Sequence, residues 1–215
     1  MAFDYKKEYK EFYLPKKKPE IVTIPKMNYI AIKGQGNPNQ QDGQYQKSIS
    51  VLYSLAFTIK MSKKTDYRIE GYFDYVVPPL EGFWWQEGVE GIDYSNKETF
   101  RWISVIRLPD FVSEKDFEWA KKQVQLKKGI DCSNAQFLTI DEGLCVQIMH
   151  IGPFDDEPAT VKLMDDFLND NGYVNDFSES RLHHEIYLSD ARKVAPDKMK
   201  TVIRHPIRKK GNQLL

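Results

Sequence analysis

The chain has 215 residues, with 31 basic and 31 acidic side chains and so no net formal charge. That length suits one large domain or two small fused units, and at this size roughly 70% of the unfolded surface can be buried. Balanced charge excludes the broad basic face of a nucleic-acid binder, and no apolar run approaches the ~20 residues of a membrane span.

Residues 1–20 read as an arm in which Phe3, Tyr5, Tyr9, Phe12 and Tyr13 alternate with lysines, and Pro15 and Pro19 stop any helix. Its aromatics are expected to dock on the main body. Met27 to Lys33 alternates as a strand, and Gly34 to Pro38 breaks it. Tyr45, Ile49, Leu52, Ala56 and Ile59 have helical spacing, which predicts an amphipathic helix over 43–61. Arg68 to Val77 reads as a strand ended by Pro78-Pro79, and Phe100 to Arg107 as another. Ser113 is the N-cap and Gly129 the stop of a connecting helix.

The order then repeats. Gly143 to His150 is a strand and Gly152-Pro153 its break. Asp156 is a candidate cap, and Pro158 suits the first turn of the helix that follows. His183 to Leu188 and Lys200 to His205 supply the last two strands. The fold class is therefore α+β, built from duplicated β-α-β-β units related by a pseudo-twofold axis, with a ligand groove between their open faces. The expected boundaries are an arm at 1–20, one domain at 21–207 (repeats near 21–109 and 113–207) and a basic tail at 208–215.

Within Arg181 to Asp190, Ile186 and Leu188 point to one face and His183, Glu185 and Tyr187 to the other. An acid between a histidine and a tyrosine is either a solvated surface or the floor of a site. The aromatic segment Tyr72 to Trp85 favours the floor. Adjacent strand residues such as His183 and His184 face opposite ways and cannot share one metal ion. Cys132 and Cys145 lack ligand spacing and read as reduced thiols. No metal and no cofactor are expected. With no signal-peptide pattern at the N-terminus, the expected location is cytoplasmic.

Three segments carry a family resemblance: Glu70 to Trp85, Gln147 to Pro158, and His184 to Asp190. Across about residues 20–207 the chain resembles GyrI-like small-molecule-binding proteins, related to effector domains of multidrug-responsive activators and to a gyrase inhibitor. The paired tryptophans resemble a stand-alone bacterial subfamily whose members act as cyclopropanoid cyclopropyl hydrolases. Those members open the strained ring of planar DNA-alkylating toxins with water. The resemblance places the groove glutamate at Glu185 and implies planar hydrophobic or cationic small molecules as partners, with no nucleic acid and no membrane. A 20-residue arm cannot hold a helix-turn-helix domain, so direct transcription control is not expected.

On that reading Glu185, Tyr187 and Glu157 are the catalytic candidates. Glu185 is the base, and Tyr187 or His150 donates to the oxygen that gathers charge. Glu157, beside Pro158, also suits a helix dipole. Trp84, Trp85, Tyr72, Phe73, Tyr75, Met149, His150 and Glu81 are the ligand-binding candidates, the rings stacking on planar or cationic molecules. His183 is expected at the surface, His184 on the packed side and His205 in the basic tail. The rival function is a non-catalytic drug-binding, sequestering or sensing domain.

Overall fold

The computed structural model describes residues 2–190 and 192–211. Two single turns, α1 (Tyr5–Glu8) and α2 (Lys10–Tyr13), form the arm. The first half continues with β1 (Glu20–Ile24), β2 (Met27–Gln35), α3 (Gln44–Lys60), β3 (Leu80–Trp85) and β4 (Arg101–Arg107). After α4 (Glu114–Lys128) come β5 (Gln136–Ile140), β6 (Gly143–Ile151), α5 (Glu157–Asp170), β7 (Tyr173–Asn175), β8 (His183–Tyr187) and β9 (Lys200–Lys209).

The strands make one antiparallel sheet in the order β1-β6-β9-β8-β3-β4-β2-β5, with β7 continuing along β9. The halves of the chain meet at the centre where β3 pairs β8, and they exchange their first strands, β1 pairing β6 and β5 pairing β2. β1 and β2 stand six places apart in this order, yet only Pro25 and Lys26 separate them. Three residue steps reach about 10 Å, whereas six strand spacings in a flat sheet cover about 29 Å. The sheet must therefore curl, and Ile24, Met27, Tyr29, Phe83 and Cys145 fill the inside of the curl.

All three long helices lie on one face. Ile30, Ile32, Trp84, Trp102 and Ile106 pack under Leu52, Leu55, Ile59, Phe117, Ala120 and Val124 of α3 and α4. Val146, Ile148, Ile203 and Ile207 pack under Met164 and Leu168 of α5. Ser113 and Asp116 form a reciprocal capping box at the start of α4, and Gly129 ends it at φ 64°. The arm covers the other face, where Tyr5 and Tyr13 pack with Tyr75, Met149, Ile186 and Val202. The Arg107 guanidinium lies 4.9 Å from both the Tyr5 and Tyr9 ring centres.

Several expectations need correction. Residues 68–77 form no sheet strand. Phe3 pairs in a single bridge with Tyr75, and its N–H donates to the Asp74 carbonyl at 2.8 Å. The strand begins after the two prolines, because β3 bonds on both edges and proline has no N–H to give. The final strand also runs on past His205, through Pro206. At that residue β9 passes from β8 to β7, and the Pro206 carbonyl accepts from Asp176 N at 2.8 Å. Arg208 and Lys209 of the expected tail therefore pair with β7, while residues 212–215 lie outside the described part. The Asp156 side chain caps nothing, whereas Pro158 does sit in the first turn of α5. Cys132 and Cys145 are buried free thiols.

Candidate active site

The seam between the two halves places a polar chain under the gap between α3 and α5. Alternation along β8 turns His183, Glu185 and Tyr187 to the helix face. Glu185 Oε1 lies 2.9 Å from His183 Nε2, and the Tyr187 hydroxyl donates to Glu185 Oε2 at 2.8 Å. Trp84 Nε1 in turn donates to the Tyr187 oxygen at 2.9 Å. Two residues of α3 and the turn before α5 wall this chain: Tyr45 packs 5.3 Å from Trp84, and Phe154 meets Tyr187 edge-on at 5.7 Å.

Glu157, the first residue of α5, comes down on Glu185 from above. It is wholly buried (0% exposed), and Glu185 is 7% exposed. Tyr94, from the loop between β3 and β4, donates to Glu157 Oε2 at 3.1 Å, while Oε1 has no partner among the described residues. Burial, followed by the charge of the neighbouring Glu185, pushes the Glu157 carboxyl well above its ordinary range. Glu157 therefore holds its proton more tightly than a free carboxyl does, set against a second carboxyl. The donor atoms of Glu157, His183 and Glu185 fall within 4.8 Å of one another, close enough to gather around a metal ion.

His183 is buried, not superficial, and its Nδ1 lies 2.7 Å from Nε2 of His205, which is buried as well. Both rings form part of the floor of a cavity of about 820 Å³ between α5 and the 90–95 loop.

Other candidates lie elsewhere. Glu81 is buried on the arm face, bonded to His184 Nε2 at 3.0 Å and to the Tyr13 hydroxyl at 3.4 Å. Tyr72, Phe73 and Tyr75 pack around Phe111 on that face too. Met149 is buried there, its N–H donating to Lys16 O at 2.9 Å. Trp85 follows Trp84 on one strand and so turns away from Glu185. His150 is occupied by Thr160 Oγ1 at 2.8 Å and Pro153 O at 3.0 Å, which fixes the turn that delivers Glu157. Tyr187 is likewise committed to Glu185, so it orients the acid instead of donating outward. Tyr94, His205 and Tyr45 complete the site.

The family model for the GyrI-like small molecule binding domain matches residues 17–208. The chain belongs to that family. A relative of solved structure, an uncharacterized conserved protein from Listeria innocua, is 48% identical with TM-score 0.90, covering 96% of this chain and 100% of its own. A second, described as a hydrolase from the same organism, is 45% identical with TM-score 0.87 and the same coverage. The EcmrR C-terminal domain shares the fold at 13% identity and TM-score 0.54, over 89% of this chain and 98% of its own. No curated protein gives a match.

In this GyrI-like site Gly82 stands opposite Glu185 across the seam. A Cβ there would lie 2.6 Å from Trp84 Nε1 and 2.8 Å from the Tyr187 hydroxyl. Gly82→Ala is expected to break the Trp84–Tyr187–Glu185 chain and cost about 1–3 kcal/mol by overpacking. Denaturant melts and Trp84 fluorescence check this, and an unchanged emission spectrum would refute it.

Proposed function

We propose that this GyrI-like protein adds water across the cyclopropane ring of planar electrophiles in which the ring is fused to a cyclohexadienone, and so disarms DNA-alkylating toxins. The observation that carries this reading is buried Glu157, its Oε1 unpartnered among the described residues, set against Glu185 beside the rings of Trp84, Tyr45 and Phe154. A water placed there gives one hydrogen to Glu185 and accepts one from the Glu157 acid, which leaves its second lone pair free for the ring. The O–C bond forms and the strained C–C bond breaks. The freed electron pair moves through the conjugated system to the carbonyl oxygen, which takes a proton from solvent and becomes a phenol, and Glu185 then releases the proton it took from the water. Glu185 accepts the water proton as general base, and Tyr187 and His183 hold it in position. Trp84, Tyr45 and Phe154 offer rings against which a flat molecule stacks. Tyr94 bonds Glu157 from the β3–β4 loop, so substrate entry lifts that loop. The Listeria innocua relative described as a hydrolase supports a catalytic reading over a purely sequestering one.

The test is to incubate the purified protein with a cyclopropane-fused cyclohexadienone and follow the water adduct by mass spectrometry. Many adducts per protein above the buffer rate are expected. Tight one-to-one binding without adduct would overturn the enzyme and leave a sequestering or sensing domain.

A further inference from the structure

His205 lies one ring beyond the residue that bonds Glu185, and it has an orphan atom. His183 Nε2 is 2.9 Å from Glu185 Oε1, His183 Nδ1 is 2.7 Å from His205 Nε2, and His205 Nδ1 is buried without a partner among the described residues. One proton lies between the two rings, and two arrangements fit the distances. In the first, His183 carries protons on both nitrogens, and His205 accepts at Nε2 and must then bear its own proton on Nδ1. That leaves a buried N–H with nothing to donate to, which is the costlier kind of orphan. In the second, His205 bears its proton on Nε2 and donates it to His183 Nδ1. The orphan is then only a buried lone pair. The Phe177 ring packs edge-on against His205 at 4.9 Å and holds it in place.

We infer that His205 is a positioning residue: by donating to Nδ1 it fixes His183 as the neutral tautomer, with its proton directed at Glu185. A doubly protonated His183 would form an ion pair with Glu185 and weaken it as a base. The orphan His205 Nδ1 decides between the two. Burial, followed by the neighbouring His183, holds the His205 imidazole well below its ordinary range, in keeping with a neutral ring. The groups that face the pair are Glu185 on β8, Glu157, Lys162 and Asp165 on α5, and Glu90, Asp93 and Tyr94 on the loop. Besides Glu185 and the proton-holding Glu157, the carboxyl groups Asp165, Glu90 and Asp93 would stabilise a cationic His183 ring, with Lys162 acting against them. The donated bond from His205 opposes that second proton.

The consequence for turnover rests on the proposed hydrolysis, but the tautomer does not. Nitrogen-15 NMR of histidine-labelled protein at neutral pH is expected to show protons on Nε2 of both rings and none on either Nδ1. In His205→Phe, His183 Nδ1 should gain a proton, and the rate of ring opening near neutral pH should fall roughly tenfold and recover as pH rises. His205→Gln, whose amide can donate to the same atom, should restore both. A doubly protonated His183 in the unaltered protein would overturn the inference whatever the activity, as would His183 signals unchanged in His205→Phe. If the protein turns nothing over but the spectra are as expected, only the hydrolase reading fails.

Discussion

Glu185→Gln is expected to lose about 10²–10⁴-fold in turnover while still binding a planar ligand. The amide keeps the size of the side chain and accepts from Tyr187, but it takes no proton from water. Quenching of Trp84 fluorescence reports binding, and the mass of the water adduct reports chemistry. Retained turnover would remove Glu185 from the role of base. Glu157→Gln should show the opposite trade. A carboxyl held above its ordinary range destabilises the fold as pH rises past about 4.5, because the unfolded chain can then ionise more easily than the folded one. Replacing it should therefore raise the melting temperature at neutral pH while slowing ring opening. A lowered melting temperature would mean that Glu157 is not held protonated.

The second large effect lies on the opposite face. His184 sits between Glu142, 2.9 Å from Nδ1, and Glu81, 3.0 Å from Nε2, and Arg204 donates to Glu142 at 3.0 Å. Arg204 also donates to Gln147 and to the Phe12 carbonyl of the arm. Arg204→Ala leaves Glu142 buried with less counter-charge and is expected to cost about 3–5 kcal/mol. Denaturant unfolding measures this, and proteolysis should then reach residues 1–15. The same cluster sets an acid limit. Burial acts to raise the Glu142 carboxyl, but His184 and Arg204 outweigh it and bring it from 4.5 down to about 2. Its contribution, on the order of 3 kcal/mol, is present above about pH 4.5 and is lost as pH falls through about 2. His184 is raised by its two carboxylates against the pull of burial. Its contribution is present below its ordinary 6.5 and fades as pH climbs through the higher folded value. A stability profile that is flat on the acid side would count against this cluster.

Alternation made Glu185 and Tyr187 legible, since a period of two needs only a few residues to state which side chains share a face. Helical spacing and cap chemistry did the same for α3 and α4. Tyr94 carries no such sign: it lies in a polar loop of no period, and only a contact 63 residues away gives it meaning. His205 was hidden by Pro206, which reads as a strand end until the change of partner from β8 to β7 is known. The segment 72–77 misled for a related reason. It has the alternation of a strand but pairs only with the arm, whose position no local pattern encodes. Glu81 carries no local sign of its burial, because Pro78-Pro79 stand just outside an interior strand.

The position of β9 has a kinetic consequence. It is the last strand in chain order among the described residues, yet it lies inside the sheet between β6 and β8, and it carries the arginine that reaches back 192 residues to Phe12. Until it arrives, β6 and β8 each lack a neighbour and the arm lacks its anchor. Closing so distant a contact is slow, because chain entropy is lost before the pairing energy is gained. Insertion of β9 between β6 and β8 is therefore expected to be a late and slow step in completing the sheet.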